Sequence, residues 1–134
     1  MTKPDRISVR QAMRADVTFI DGRENILDAL RAMRDGKATS LVVEKRSDTD
    51  EYGLLTLSDI AKQVIARDRA PERVHVFEIM SKPVIDVSPD MDIRYCARLF
   101  EKFGIRRAPV IEDKKVIGII SYYHLVLEAL PELD

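Results

Sequence analysis

Apolar residues follow the same order twice along this chain. A shift of 67 residues (76 − 9 = 67) aligns the two halves, placing Val9 on Val76, Met13 on Met80 and Val17 on Val84. Each half then shows the same succession of periodicities, which predicts the order strand, helix, strand, strand, helix. We therefore interpret the chain as two repeats, over residues 7–69 and 74–130.

The first repeat carries recognisable helix signals. An extended apolar run over 17–20 precedes Asp21 and Glu24, whose spacing predicts a capping pair at the start of a helix. Gly36 lies just past the periodic stretch, where a left-handed residue commonly ends a helix. The segments SLVVE and YGLLT predict a strand pair joined by a polar turn, and a second helix is expected over 58–66.

The second repeat has the same pattern with different capping residues. After an extended run over 84–87, Ser88 is the predicted N-cap and Pro89 the first helical residue. Gly104 is expected to end this helix. The segments APVIE and KVIGII predict the strand pair, and the last helix is expected over 122–130.

The predicted fold class is α+β, built from two β-α-β-β-α repeats. A unit of about 60 residues encloses little interior by itself, and its three-stranded sheet would leave one face exposed. We therefore expect the two sheets to pack face to face about a pseudo-twofold axis. The grooves where the repeats meet would then be the natural ligand sites.

The amino-acid composition argues against several classes of function. The chain has 22 basic and 23 acidic side chains, so it lacks the basic excess typical of nucleic-acid binding. The charged start MTKPDRISVR does not resemble a secretory signal, and apolar stretches such as VIGII are too short to span a bilayer. The single cysteine excludes an intrachain disulfide. A cytoplasmic protein without a membrane segment is the expectation.

No set of residues indicates catalysis. His75, Cys96 and the pair Lys114–Lys115 are each interpreted as structural or solvated. The sequence offers neither a nucleophile–base pair nor a spaced cluster of metal ligands. We therefore expect a protein that is not an enzyme and holds no metal.

The stretch GLLTLSD, residues 53–59, has two interpretations that need the same geometry. Thr56 and Asp59 match a capping box at a helix start. The same hydroxyl, carboxylate and helix N-terminus could also hold the phosphate and ribose of a nucleotide. Gly53 would leave space for a ligand or for a neighbouring strand. Both interpretations stay open at this point.

The chain resembles a tandem pair of cystathionine β-synthase (CBS) domains, also called a Bateman module, over roughly residues 7–130. The resemblance rests on QAM and EIM before each first strand, on GIRRAPV at 104–110, and on the GLLTLSD pattern. It implies a disc-like or related homodimer and binding of adenosine-containing ligands such as AMP, ADP, ATP, S-adenosylmethionine or NAD. It also implies regulation of an attached or partner protein.

The resemblance assigns roles to individual residues. Asp59 would accept hydrogen bonds from the two ribose hydroxyls, with Gly53 and Thr56 beside it. Six residues from the other repeat would surround the base: Met80, Ser81, Lys82, Val84, Ile85 and Ile105. Arg106 and Arg107 would reach the phosphates, a task suited to guanidinium. Plain core packing, for the apolar members, and a solvated edge or salt bridge, for the arginines, are the alternatives.

The matching stretch GIISYYH departs from this pattern. His124 stands where Asp59 stood and cannot serve as an acceptor for two hydroxyls, although Ser121 can still cap the helix. The corresponding second site would comprise Val17, Thr39, Ser121 and His124. We expect it to be empty, weaker or differently specific.

The sequence thus predicts a stand-alone regulatory module that binds an adenine nucleotide, forms a homodimer and signals to an unknown protein partner. A ligand-free scaffold for protein interaction or oligomerisation is the alternative from another class. Nucleic-acid binding is a further alternative, disfavoured by the near-neutral charge.

Overall fold

The computed structural model of the chain describes residues 6–128. Its strands are β1 Phe19–Ile20, β2 Ser40–Val43, β3 Gly53–Thr56, β4 Arg107–Glu112 and β5 Lys115–Ser121. Its α-helices are α1 Val9–Ala12, α2 Ile26–Gly36, α3 Leu57–Ile60, α4 Val76–Ile79 and α5 Ile93–Phe103. A π-helical turn, Ala61–Ile65, continues α3, a 3₁₀ turn spans Pro71–Arg73, and a π-helical segment spans His124–Glu128. This mixture of helices and small sheets confirms the α+β class.

The chain forms two compact units. One, here called the central unit, comprises residues 18–84; the other, the split unit, comprises the described residues 6–17 and 85–128. The segment that leads into the second repeat, with α4, therefore belongs to the central unit. The segment that leads into the first repeat, with α1, belongs to the split unit. Each compact unit is thus completed by the leading segment of the other repeat.

The central unit contains a three-stranded sheet in the order β1-β2-β3. Strand β1 runs parallel to β2, and β2 pairs antiparallel with β3 from Ser40 opposite Thr56 to Val43 opposite Gly53. Apolar side chains of these strands and helices form one buried cluster, which includes Ile26, Met33, Leu41, Leu55, Val64 and Val76. The two predicted strand pairs, here and in the split unit, are confirmed.

Both predicted ends of α2 were wrong. The N-cap is Asn25, whose side chain accepts from the Asp28 N–H at 2.8 Å. Asp21 instead accepts from the backbone N–H of Arg23 at 2.8 Å and pairs with its guanidinium, so it closes a turn before the helix. The left-handed residue that ends α2 is Lys37, at φ 50°. Gly36 is still helical.

The split unit has a two-stranded sheet of β4 and β5. The strand predicted over 84–87 was wrong, since this segment contributes only a parallel bridge of Val87 to Val110. It lies between Pro83 and Pro89, which lack the N–H groups that would extend a ladder. The buried cluster of this unit includes Val9, Val87, Cys96, Phe100, Val110 and Ile120.

Helix α5 also begins later than predicted. Its N-cap is Asp92, which accepts from the Arg94 N–H at 2.8 Å. Ser88 accepts from the Asp90 N–H at 3.2 Å and so closes the preceding turn, which makes the predicted Ser88–Pro89 start wrong. Gly104 ends the helix at φ 64°, as predicted. The last predicted helix is present from Tyr122, and its predicted end lies outside the described residues.

We expect the ionised carboxylate of Asp92 to stabilise the folded protein, and this contribution to the free energy of unfolding to be lost in acid. The Arg94 side chain beside it holds the pKa of this carboxyl at about 2, below the ordinary 3.8. Because the pKa is depressed in the folded state, ionised Asp92 contributes stability above about pH 4, and this is lost as the pH falls towards 2. In urea unfolding curves measured across this range, Asp92→Asn should show a shallower pH dependence than the wild type. An unchanged slope would contradict this role of Asp92.

Among the described residues, no helix is both long and apolar enough to cross a membrane.

Candidate functional site

The GLLTLSD stretch forms a complete capping box. Asp59 N–H donates to the Thr56 hydroxyl at 3.1 Å, and Thr56 N–H donates to Asp59 Oδ2 at 2.9 Å. Strand β3 ends and α3 begins at this point, so the hydroxyl and the carboxylate are fixed at a helix start. Both side chains are half-buried. The cap interpretation of the motif is therefore realised in the structure.

The capping role leaves acceptor positions on the Asp59 carboxylate that a ligand can use. A carboxylate has about four lone-pair positions for hydrogen bonds, and the capping box uses one of them on Asp59. The helix start also presents a positive dipole end. The arrangement could therefore hold a vicinal diol or another polar group without breaking the cap.

Gly53 allows the segment 80–81 to pack closely against the start of β3. A Cβ added there would lie 2.8 Å from Met80 Sδ and 3.2 Å from the Ser81 carbonyl oxygen. Leu54 and Ser81 exchange two backbone hydrogen bonds of 2.9 Å. The neighbouring segment 80–81, which joins the edge of β3, therefore accounts for the glycine. Gly118 has the same relation to Met13 in the split unit.

Lys82 lies away from the capping box. Its Nζ contacts Asp50 Oδ1 at 2.6 Å, in the turn that joins β2 to β3. The hydrogen bond from Lys82 is the main reason that the pKa of Asp50 is held well below its ordinary value. Since Thr56 ends β3 and Gly53 begins it, the ammonium group and the capping box lie at opposite ends of the hairpin. The structure thus brings Met80 and Ser81 to β3 but directs Lys82 elsewhere.

The remaining predicted residues divide between the two units. Val84 is half-buried in the central unit. In the split unit, Ile85 is exposed and Ile105 packs against the buried cluster. Arg106 is exposed, and Arg107 begins β4 opposite Ser121. Their predicted contribution to a site with Asp59 stays a prediction.

The altered motif in the split unit keeps the local spacing. Ser121 Oγ and His124 Nδ1 lie 2.8 Å apart, three residues apart in sequence like Thr56 and Asp59. An imidazole thus replaces the carboxylate at the matching position. Of the other residues predicted there, Val17 is half-buried in the split unit, and Thr39 is in the central unit, where its carbonyl accepts from the Leu57 N–H at 3.1 Å.

Sequence reasoning missed a cleft in the central unit, here called the Phe77 cleft. Its volume is about 430 Å³. Its apolar lining consists of Gly22, Val43, Phe77 and Met80. Its charged lining consists of Asp21, Arg23, Glu44, Arg46 and Lys82. The repeat alignment already marked this position as unusual, because it matches the aromatic Phe77 with the basic Arg10 of the other repeat (10 + 67 = 77).

The cysteine is unsuited to nucleophilic chemistry. Cys96 is fully buried on α5, and this burial raises the pKa of its thiol to about 11. The reactive thiolate is thus disfavoured at neutral pH. Within residues 6–128, no three His, Cys, Asp or Glu side chains are grouped as metal ligands.

These observations define an α+β protein of two repeats, each with a strand pair running into a helical segment. The CBS domain model matches residues 9–66 and 76–130. This chain belongs to the CBS domain family, and the resemblance seen in the sequence is confirmed.

Curated relatives are longer than this chain. An uncharacterized protein of Methanopyrus kandleri is 32% identical over 116 residues, which are 86% of this chain and 59% of that protein. A homoserine O-acetyltransferase of Methanosalsum zhilinae is 36% identical over 118 residues, which are 87% of this chain and 23% of the enzyme. The chain therefore spans between about a quarter and three fifths of these two relatives.

Solved structures share the fold. A hexameric CBS-CP12 protein from bloom-forming cyanobacteria matches with a TM-score of 0.90 and 37% identity, over 94% of this chain and 73% of that chain. A CBS domain pair in complex with 5′-methylthioadenosine and S-adenosyl-L-methionine matches with a TM-score of 0.78 and 21% identity, over 90% and 94% of the two chains. The second likeness is one of fold alone.

Proposed function

We propose that this CBS pair is a regulatory module, rather than an enzyme, and that it binds an adenosine-containing ligand through Thr56 and Asp59. The observation that carries the proposal is the half-buried capping box, which fixes a hydroxyl and a carboxylate at a helix start. A carboxylate in this position suits the two vicinal hydroxyls of a ribose. The adenosine compounds bound by a CBS pair of the same fold support the ligand class.

The proposal gives each part of the ligand a counterpart. Asp59 accepts from the ribose hydroxyls, and the segment around Ser81, which is bonded to Leu54 of β3, is proposed to surround the base. Arg106 and Arg107 take the phosphates of AMP, ADP or ATP. Ser121 and His124 lack a carboxylate at the matching helix start, so the second site is proposed to be weaker or unoccupied. S-adenosylmethionine and NAD are further candidates, because both contain the same ribose.

Ligand binding should raise the thermal midpoint of unfolding. A ligand held only by the folded protein stabilises it by mass action, by roughly 2.7 kcal/mol when its concentration is about a hundred times the dissociation constant. Differential scanning fluorimetry with AMP, ADP, ATP, NAD and S-adenosylmethionine measures this directly. Adenine and inorganic phosphate serve as matched controls without ribose. No shift with any adenosine compound at millimolar concentration would favour the ligand-free scaffold.

The protein is also proposed to form a homodimer in the cytoplasm and to act on a protein partner. Exposed apolar side chains occur on the closing helices of both repeats, including Leu57, Ile65, Tyr123, Val126 and Leu127. Such residues favour association when they form a patch. The hexameric state of the CBS-CP12 protein supports self-association in this fold.

We expect multi-angle light scattering at micromolar concentration to return twice the monomer mass of 15.3 kDa. Dimer formation should persist without nucleotide, because the exposed apolar residues are present in the ligand-free chain. A monomer mass both with and without nucleotide would contradict the proposal. A dimer that binds none of the adenosine compounds would support the scaffold function instead.

A further inference from the structure

Phe77 is an aromatic residue that the central unit leaves exposed beside an open cleft. It is 54% exposed, and its ring stacks on His75 at a centroid distance of 5.4 Å. The cleft volume of about 430 Å³ lies in the range of small-molecule sites. Thr56 and Asp59 are not among its lining residues. The Phe77 cleft is thus separate from the capping box, although it shares Met80 and Lys82 with the residues that the resemblance places around the base.

The apolar side of the Phe77 cleft is held in place by backbone contacts. Phe77 N–H donates to the Gly22 carbonyl at 3.0 Å, which ties the start of α4 to the loop before α2. A Cβ added to Gly22 would lie 3.3 Å from Val43 Cγ1 and 3.6 Å from Phe77 Cβ. The loop therefore packs directly against both side chains. A flat ring could rest on this preformed surface.

The charged side of the cleft has three basic and two acidic residues. Arg23 pairs with Asp21 at 2.7 Å, and Arg46 lies 3.6 Å from Asp50, with both arginine side chains at least 80% exposed. Exposed ion pairs of this kind are weak. A guanidinium also has five N–H donors, so it can bind a second anion without leaving its carboxylate. Lys82 is more firmly engaged, at 2.6 Å from Asp50.

The split unit fills the matching position differently. The same shift of 67 residues matches Phe77 with Arg10, Arg23 with Asp90 and Lys45 with Glu112. There, Arg10 donates to Glu112 and lies 4.0 Å from Asp90, so a cation is held between two acids. In the central unit the ring of Phe77 replaces the cation and Arg23 replaces Asp90. Lys45, the counterpart of Glu112, does not line the cleft, but the next residue, Arg46, does. An anionic group is the occupant that Arg23 and Arg46 fit.

We propose that the Phe77 cleft binds a small aromatic phosphate, with its ring against Phe77 and its phosphate against Arg23 and Arg46. Aromatic rings stack favourably on an exposed phenyl group, and guanidinium groups match the geometry of phosphate. The proposal does not depend on ribose binding by Asp59, because the cleft residues and the capping box are different sets.

Phenyl phosphate is a suitable probe because it has the ring and the phosphate but no ribose. In ¹H–¹⁵N NMR titrations, it should shift the backbone signals of Gly22, Arg23 and Phe77 to saturation. Inorganic phosphate and phenol each supply half of the contacts, so each should bind about tenfold more weakly or worse. The absence of saturable shifts at these residues with up to about 10 mM phenyl phosphate would overturn the proposal.

Five variants test whether the binding belongs to the cleft. Phe77→Ala and Arg23→Ala should each weaken phenyl phosphate binding by about fivefold or more. Phe77→Arg introduces the residue of the split unit at this position and also removes the ring. Arg67→Ala is the control for Arg23→Ala, because it removes one exposed positive charge outside the cleft. Equal affinity in Arg23→Ala and Arg67→Ala, in folded proteins by circular dichroism, would overturn the proposal. So would unchanged affinity in both Phe77 variants, or a loss of phenyl phosphate binding in Asp59→Ala.

Discussion

Replacing Asp59 by alanine is expected to weaken adenosine-ligand binding by about tenfold or more. The reason is the loss of charge-assisted hydrogen bonds to the ribose, which contribute roughly 1.5–3 kcal/mol each. The same change removes one half of the capping box with Thr56. Folding should therefore lose only a capping contribution of about 1 kcal/mol. Isothermal titration calorimetry beside urea unfolding curves separates the two effects.

Two further variants distinguish a ligand role from a capping role. Asp59→Asn keeps an oxygen that can accept from the Thr56 N–H but removes the charge, so stability should be retained while affinity falls. His124→Ala alters the matching position of the split unit and should leave affinity nearly unchanged. Full affinity in Asp59→Ala, with only lowered stability, would reduce the motif to a helix cap. Equal losses in Asp59→Ala and His124→Ala would contradict a single dominant site.

The proposed phosphate contact has its own signature in the same measurements. Arg106 is exposed, and its backbone carbonyl accepts from the Tyr122 N–H at 3.2 Å, a contact that a side-chain change leaves intact. Arg106→Ala should therefore weaken AMP more than adenosine without altering the fold. Equal weakening of the two ligands would remove Arg106 from phosphate recognition.

The repeated elements were predictable because their periodicity is local, whereas the exact helix starts were not. The Ile26 N–H at the start of α2 donates to the Val74 carbonyl at 2.9 Å. The Ile93 N–H at the start of α5 donates to the Ile7 carbonyl at 2.9 Å. Both acceptors are distant in sequence, so tertiary contacts chose among several nearby capping residues. Capping residues chosen from the local sequence alone therefore placed the starts of α2 and α5 too early.

The end of α2 shows the same limit. Gly36 was the obvious residue for a left-handed position, but Lys37 adopts it at φ 50°. A Cβ at Gly36 would lie 2.5 Å from Thr18 Oγ1, so the glycine serves a close approach inside the central unit. Without the position of Thr18, the sequence could not distinguish these two uses of glycine.

Of the candidate site, the capping box was predictable and the surroundings were not. Thr56 and Asp59 interact across three residues of one helix start, so their spacing is sufficient to place them. The contact of Lys82 with the base stays a prediction, and its contact with Asp50 was not foreseen, because Asp50 lies in a turn whose conformation the sequence does not specify. The Phe77 cleft depends on the leading segment of one repeat packing against the other. Such an exchange cannot be inferred from the repeats taken singly.

Phe100→Ala should cause the largest loss of stability, of about 3–5 kcal/mol. Phe100 is fully buried in the cluster of the split unit, and its ring meets the Tyr122 ring edge-on at a centroid distance of 5.3 Å. Truncation would leave a cavity among residues drawn from α1, α5 and both strands of the sheet. The free energy of unfolding from urea denaturation, followed by circular dichroism, measures the loss.

Phe103 on the same helix provides the matched control. It is 52% exposed, so Phe103→Ala removes the same side chain without opening a cavity. Its effect should stay within about 0.5 kcal/mol, as for surface substitutions in general. Comparable losses from the two variants would mean that the helix contributes through its own formation rather than through the packing of Phe100. A large loss confined to Phe100→Ala would show that burial of this ring holds α5 against the strands that carry Arg107 and Ser121.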